Sequence, residues 1–161
     1  MKCTPIALNE QKTILNKPFP AAFLVDSDSN PEFWTWVSEN KEWFREVMLS
    51  HGAILLRGAP INKPEDFERF VDEAGFPRMA YVGGAAPRKE VTSRVLTSNE
   101  SPPSEPIPFH HEMAQVPNPP SYIFFYCDVP PTQGGATAIA HSVHTYNLFH
   151  SVDSEFAKKI E

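Results

Sequence analysis

The sequence predicts a single, loop-rich domain of mixed α+β type, and two observations support this. First, 41% of its 161 residues are hydrophobic and 21% are charged, a balance that can bury a core and excludes wholesale disorder. Second, the chain has seventeen prolines and only seven glycines, about twice the usual proline content. Because an interior proline removes a helix hydrogen bond and clashes with the preceding turn, this content excludes a helical bundle or a coiled coil.

Charge and cysteine content exclude several classes of protein. Fourteen basic and twenty acidic residues give a formal net charge of −6, which disfavours a binder of nucleic acid or of anionic membranes. Cys3 and Cys127 cannot build a disulfide framework, so a reducing compartment is expected. The first residues lack the apolar stretch of a signal peptide, and no apolar run approaches membrane-spanning length. A soluble cytoplasmic protein is therefore predicted.

The N-terminal residues predict a lead-in followed by a helix. Residues 1–29 form the lead-in, with an extended piece at Ala22–Val25. Asn30 can cap free N–H groups and Pro31 suits the first helical position, so a helix is expected from here to Gly52. Its apolar residues recur at helical spacing: Phe33, Trp36, Val37, Phe44, Val47 and Met48.

The middle of the chain predicts a strand, a helix and a loop before a second strand. Ala53–Leu56 is a short apolar run bounded by glycines, which is typical of a buried strand. A helix is expected from Pro64 to Gly75. Residues 76–90 predict an irregular loop, and Arg94–Thr97 predicts a strand.

The last third predicts two strands and two helical pieces. Tyr122–Val129 is the clearest strand, and both of its alternating sets of side chains are apolar enough for burial on two faces. Thr137–Ala140 predicts another short strand and Val143–Phe149 a helical turn. Asp153 or Ser154 caps a final helix of only about two turns. A helix that stops in its own middle predicts a chain that is cut short.

His110 and Glu112 form the candidate metal site. In an extended segment, residues i and i+2 project to the same side, so these two side chains converge while His111 points away. An imidazole beside a carboxylate supplies two of the three ligands of the facial arrangement that holds non-heme Fe(II). Taken alone, the triplet fits equally a solvent-facing histidine beside a loop glutamate, and both alternatives stay open.

Four segments of the chain occur in an order that is typical of one family. The longest runs from Ile107 to Ser142 and reads IPFHHEMAQVPNPPSYIFFYCDVPPTQGGATAIAHS. The others are HGAILLRGAPI at 51–61, YVGGAAPR at 81–88 and RVLTSNESPP at 94–103. By these segments the chain, over about residues 30–161, resembles the TauD/TfdA-like branch of Fe(II)/2-oxoglutarate dioxygenases. The resemblance is greatest to the plant-type clavaminate synthase-like proteins of that branch.

The resemblance implies a fold and a set of site residues. The fold is a double-stranded β-helix (jelly roll) with flanking helices, of which residues 30–161 would be the N-terminal portion. Carried over by position, His110 and Glu112 are the first two iron ligands. Thr137 is the threonine whose hydroxyl hydrogen-bonds the carboxylate of the cosubstrate 2-oxoglutarate. Without the resemblance, Thr137 is an ordinary β-branched strand residue.

Two parts of the family's site have no counterpart in this sequence. These are the third iron ligand, a distant histidine, and the arginine that pairs with the other end of 2-oxoglutarate. His141 is a weak substitute, and a hydrolytic zinc site of His110, Glu112 and His141 is a weaker alternative. Arg57 and Arg88 are expected to be solvated at the surface rather than to bind an anion.

These observations lead to two hypotheses of function. The first is an incomplete dioxygenase that uses iron, 2-oxoglutarate and dioxygen on an unidentified small molecule, with weak activity or none as a 161-residue chain. The second is a non-catalytic binding or regulatory fragment of the same fold. Its exposed strand edges would pair with a second copy or with a full-length relative.

Overall fold

A computed structural model describes the chain except for a few short gaps. The described residues are 1–26, 30–84, 86–98, 102 and 104–160. They form two compact units, the first made of Met1–Phe33, Glu42–Ala59 and Thr137–Glu161 and the second of Trp34–Lys41 and Pro60–Ala136. Within the described residues, no helix has the length and apolar character needed to cross a membrane.

The chain has a mixed α+β structure, as predicted, and the sheets that its described residues form are small. In chain order the strands are β1 (Lys2–Pro5), β2 (Lys12–Ile14), β3 (Lys17–Phe19), β4 (Ala21–Asp26) and β5 (Ile54–Arg57). The helices are α1 (Asn30–Glu39), α2 (Lys41–His51), α3 (Pro64–Glu73), α4 (Ser142–Val152) and α5 (Ser154–Ile160).

A three-stranded sheet with the order β1-β4-β5 lies at the centre of the first unit. The central strand β4 pairs antiparallel with β1 and parallel with β5, with Ala22 opposite Leu55. Its residues Ala21, Ala22 and Val25 are buried, which confirms the extended piece predicted at Ala22–Val25. The strand predicted at Ala53–Leu56 is also confirmed, with its bounds shifted by one residue, although its side chains are only half-buried.

The hairpin of β2 and β3 was not predicted. Two residues, Leu15 and Asn16, connect its strands, and both have positive φ angles, of 51° and 64°. Such two-residue turns usually carry Asn-Gly or Asp-Gly, because glycine adopts a positive φ without steric cost. Because a leucine occupies the first turn position, the sequence lacks the usual signal of a two-residue hairpin turn.

The single helix predicted from Asn30 to Gly52 is wrong, because the structure breaks it into α1 and α2. The break lies at Asn40, whose side-chain Nδ2 donates to the carbonyl oxygen of Trp36 at 2.8 Å. The backbone N–H of Asn40 donates to the same oxygen at 3.0 Å. An asparagine that bonds the preceding turn in this way competes with continuation of the helix. The predicted apolar stripe is nonetheless buried at Phe33, Val37 and Phe44.

Gly52 ends α2, as predicted, and its environment explains why a glycine is there. Its φ is +77°, and its N–H donates to the carbonyl oxygen of Met48 at 2.7 Å. A Cβ at this position would lie 2.9 Å from Cδ2 of His141. The His141 ring in turn packs edge-on against Phe19, with 5.2 Å between ring centroids. The end of α2, strand β3 and the start of α4 therefore meet at one glycine.

In the second unit, α3 positions the loop that follows it. The helix runs from Pro64 to Glu73, which confirms the predicted start and leaves Gly75 just beyond its end. Arg94 pairs with Asp72, and Ser93 hydrogen-bonds Glu68. Hydrogen bonds from Ser93 and Thr92 lower the pKa of Glu68. Polar contacts thus hold residues 92–94 against the helix.

The strands predicted at Arg94–Thr97, Tyr122–Val129 and Thr137–Ala140 are not formed as hydrogen-bonded strands within the described residues. Only an isolated bridge between Glu90 and Leu96 occurs in this part of the chain. Strand assignment needs a ladder with a neighbouring backbone, and apart from this single bridge the described residues form none with these segments. Their strand-like composition is real, but composition does not supply the partner.

Residues 122–126 pack by aromatic contacts on one face only. Tyr122 and Phe124 lie edge-on against Phe76, each at 4.9 Å between centroids, and Tyr126 stacks on Phe67 at 5.5 Å. The side chains between them are exposed, Ile123 to 46% and Phe125 to 57%. Burial on two faces was therefore a wrong prediction for this segment, because half of its apolar side chains meet solvent.

The helices at the end of the chain agree with the sequence. The turn predicted at Val143–Phe149 is the longer helix α4, and Asp153 precedes α5. Its Oδ1 accepts a hydrogen bond from the N–H of Phe156 at 2.9 Å, so Asp153 is the cap of α5. Phe156 also packs edge-on against Phe149.

We expect Gly52→Ala to lower the free energy of unfolding by about 2 kcal/mol, because the new methyl group combines a positive φ with crowding of His141. Gly134→Ala is the control, since Gly134 has a φ of +68° but no atom within 4 Å of the added Cβ. Its loss should be about 1 kcal/mol or less. Urea unfolding followed by tryptophan fluorescence measures both. Equal losses in the two variants would contradict the crowding at Gly52.

Candidate metal centre

His110 is held in a defined tautomer by the backbone beside it. Its Nδ1 lies 2.8 Å from the carbonyl oxygen of Pro108. A carbonyl oxygen only accepts hydrogen bonds, so the neutral ring carries its proton on Nδ1 and has a free lone pair on Nε2. A backbone carbonyl that binds one ring nitrogen is the usual way to orient a metal-binding imidazole.

Glu112 lies beside that lone pair. Its Oε2 is 4.0 Å from Nε2 of His110, so the structure brings together the two residues that the i, i+2 spacing placed on one side. Glu112 is mostly buried, with its side chain 19% exposed, whereas that of His110 is 57% exposed. The next residue, Met113, is buried and has a φ of +54°, which is unusual for a residue other than glycine. We call residues 108–116 the His–Glu segment.

The donor set of the His–Glu segment fits a divalent first-row metal. Bonds of about 2.1 Å place neighbouring ligand atoms of an octahedron about 3 Å apart. His110 and Glu112 need to approach by about 1 Å to reach that spacing, since Nε2 and Oε2 are 4.0 Å apart. Among the residues that the structure describes, no group of three or more His, Cys, Asp or Glu side chains is arranged to hold a metal ion. The pair therefore supplies a partial ligand set.

His141 has a structural role in the first unit. Its Nδ1 accepts a hydrogen bond from the backbone N–H of His144 at 3.4 Å, which caps α4. Its ring packs against Phe19 and close to Gly52. No three-residue metal group occurs in the described part of the chain, and the alternative of a zinc site that includes His141 stays a prediction.

Thr137 is exposed and lies in a stretch that forms no strand. It belongs to the first unit, whereas His110 and Glu112 belong to the second. The strand predicted around it is absent from the described structure, so no sheet fixes the direction of its hydroxyl group. Its role in binding 2-oxoglutarate stays a prediction.

Arg88 is a site residue that sequence reasoning missed. It was expected to be solvated, but its side chain is only 15% exposed and its Nη2 donates to Oε1 of Glu112 at 2.9 Å. Its guanidinium also lies over the ring of Tyr81, 4.8 Å from the centroid. The only signal in the sequence was that Arg88 ends the YVGGAAPR segment, since no local spacing links it to Glu112.

Comparison with known proteins identifies related sequences over nearly the whole chain. The family model described as "Taurine catabolism dioxygenase TauD, TfdA family" matches residues 16–160. A clavaminate synthase-like protein of Arabidopsis thaliana is 42% identical over 165 residues, which cover 98% of this chain and 49% of that protein. The dapdiamide synthesis protein DdaC of Enterobacter agglomerans is 30% identical over 115 residues, 71% of this chain and 35% of that protein. The chain thus spans about half the length of these curated relatives, or less.

We expect His110 and His141 to adopt opposite neutral tautomers. His110 should carry its proton on Nδ1, where Pro108 accepts it, and His141 on Nε2, because its Nδ1 accepts from His144. Two-dimensional ¹⁵N NMR of the imidazole rings above their titration range distinguishes the two forms. The variants His110→Gln and His141→Gln assign the signals. An Nε2-protonated His110 would contradict the orientation described for the site.

Proposed function

The chain belongs to the TauD/TfdA dioxygenase family, as its sequence motifs predicted, and we propose that it serves an Fe(II)- and 2-oxoglutarate-dependent oxidation of a small molecule. Members of this family depend on Fe(II) and 2-oxoglutarate. The observation that carries the proposal is the His110–Glu112 pair, in which a lone pair on Nε2 faces a carboxylate oxygen. An oriented neutral imidazole beside a carboxylate is the donor chemistry that this iron site requires.

Each residue has a distinct role in this proposal. Nε2 of His110 and Oε2 of Glu112 hold the metal, and the hydroxyl of Thr137 donates to a carboxylate of 2-oxoglutarate. When bound, iron together with 2-oxoglutarate and dioxygen supplies the oxidising chemistry, with succinate and carbon dioxide as coproducts. The protein contributes orientation and exclusion of water. In the absence of metal, the ion pair with Arg88 neutralises the carboxylate of Glu112.

We also propose that residues 30–161 are the N-terminal portion of a jelly roll and that residues 1–29 are its lead-in. The alternating exposure of residues 122–126 supports this. In a strand between two layers, both faces are covered, and the exposed apolar side chains of Ile123 and Phe125 would need such a second layer. Two protein ligands hold a divalent ion weakly. The 161-residue chain alone is therefore expected to be weakly active or inactive.

The two curated relatives support a small-molecule substrate. One is named for its likeness to clavaminate synthase and the other for dapdiamide synthesis, so both names refer to small-molecule chemistry. The fold hosts different substrates on one metal site, so the reaction class carries over to this chain but the substrate does not.

The second candidate function is a non-catalytic one, in which the chain pairs with a copy of itself. The observation that favours it is the exposed apolar row of Ile123 and Phe125, beside backbone that no described strand pairs. Exposed apolar side chains on an unpaired extended segment favour strand addition from another chain.

We expect His110→Ala and Glu112→Ala each to weaken Co(II) binding at least 10-fold, because each removes a donor from a site that has few. His111→Ala is the matched control, since it alters a neighbouring imidazole outside the pair and should leave affinity within about twofold. Isothermal titration under reducing conditions measures all four proteins. Equal affinities of the wild type and His110→Ala would reject the site. Rapid iron-dependent formation of succinate by this chain alone would reject the expectation of weak activity.

For the second candidate, we expect the purified chain to sediment as a dimer or larger and Phe125→Asp to shift it to a monomer. The control is Leu49→Asp, because Leu49 is 80% exposed and belongs to helix α2 of the first unit rather than to residues 122–126. Analytical ultracentrifugation at several concentrations reports the size. A monomeric wild type at all concentrations would exclude self-pairing.

A further inference from the structure

We propose that Arg88 is a positioning residue that fixes the carboxylate of Glu112 for metal binding. It occupies Oε1 and leaves Oε2 directed at His110. This inference rests on the proposed function and names a residue that neither the metal motif nor the cosubstrate motif includes. It also gives the YVGGAAPR segment a role, which is to carry Arg88 to the carboxylate of Glu112.

The loop that carries Arg88 is built around one aromatic ring. We call it the arginine loop, and its described residues are 81–84 and 86–88. The hydroxyl of Tyr81 donates to the carbonyl oxygen of Ala86 at 3.1 Å and accepts from its N–H at 3.2 Å. A Cβ on Gly84 would lie 1.9 Å from Cζ of Tyr81, so only glycine lets the backbone pass this ring. Tyr81 therefore closes the loop.

The same ring supports the guanidinium of Arg88. The cation lies 4.8 Å from the centroid of Tyr81, within the range of a cation–π contact. Its Nη1 also approaches the carbonyl oxygen of Thr97 at 3.4 Å. Nε is buried and has no hydrogen-bond partner among the described residues. Leaving a buried donor without a partner costs free energy. The contacts with Tyr81 and Glu112, rather than a hydrogen bond of Nε, therefore set the position of this side chain.

A second contact ties the arginine loop to the His–Glu segment. Nε2 of Gln115 donates to the carbonyl oxygen of Gly83 at 2.9 Å. Arg88 and Gln115 thus bridge the two stretches at both ends, through Glu112 and Gly83. Arg88 therefore holds the carboxylate of Glu112 from a loop that the Tyr81–Ala86 hydrogen bonds already close.

Bracing matters because the last torsion of a glutamate side chain is loose. This sp³–sp² torsion has a broad, roughly two-fold profile, so a free carboxylate samples many directions. A charge-assisted hydrogen bond to one oxygen narrows that range before a metal arrives, and the ordering cost is met during folding. Because Arg88 holds Oε1, the carboxylate offers a cation one oxygen rather than two.

The test compares metal binding by four variants with that of the wild-type chain, with folding verified by circular dichroism. Arg88→Gln should weaken Co(II) binding by roughly 10- to 100-fold, as losses of outer partners of metal ligands do. Arg88→Lys keeps the charge and should restore part of the loss. Tyr81→Phe keeps the ring but removes the bonds to Ala86, so its loss should be smaller. Arg57→Gln is the control, because it makes the same charge change at an exposed position in the first unit.

The absorption spectrum of bound Co(II) separates positioning from simple stability. Arg88→Gln should change the shape of the ligand-field bands at saturating metal, which a merely less stable protein would not do. Unchanged affinity and spectrum in Arg88→Gln, or tighter binding because repulsion of the cation dominates, would overturn the inference. Loss of binding in His110→Ala with no effect of Arg88→Gln would overturn it while leaving the proposed function standing.

A metal-free measurement decides the case in which the wild type binds no metal. That result rejects the proposed function, and urea midpoints of Arg88→Gln, Glu112→Gln and the double variant then test the brace itself. If Arg88 orders Glu112, the double variant should unfold at nearly the same urea concentration as the less stable single variant. Additive shifts would overturn the brace.

Discussion

The ion pair between Arg88 and Glu112 joins two stretches of the second unit whose described residues form no helix or strand. Its partners lie 24 residues apart, and each side chain is largely removed from water. A charge-assisted bond in such a setting is stronger than a surface pair, and the loss of one partner leaves a mostly buried charge. The hydrogen bond from Arg88 to Glu112 therefore links the closed arginine loop to the His–Glu segment.

Aromatic packing on α3 provides the other constraint in this unit. Phe67, in the first turns of α3, and Phe76, just beyond the end of that helix, contact the alternate rings of residues 122–126. The polar contacts of Glu68 and Asp72 hold residues 92–94 to the same helix. Loops that lack ladder hydrogen bonds are thus ordered by side-chain contacts to a single helix, which leaves half of an apolar row facing solvent.

Much of the local structure follows from local sequence. Pro64 and Asp153 mark helix starts and Gly52 a helix end, because each acts through its own backbone conformation or a bond within one turn. The His110–Glu112 juxtaposition likewise depends on a spacing of two residues. The break at Asn40 escaped prediction because its side chain bonds the preceding helical turn. The hairpin escaped because Leu15 and Asn16 adopt the positive φ angles that glycine usually provides. The predicted strands of the second half failed for a different reason, since pairing requires a distant backbone. Arg88 escaped for a similar reason, because its partner is brought close only by the closed loop.

Positions 81 and 84 form a steric lock in the sequence of this chain. With an aromatic ring at 81, any side chain at 84 would overlap the ring, so Tyr81 commits Gly84 to remain glycine. A side chain at 84 is therefore costly while Tyr81 is present, whereas a smaller residue at 81 would allow 84 to vary. The residues that are acceptable at 84 thus depend on the residue at 81, so substitutions at these two loop positions are expected to be coupled.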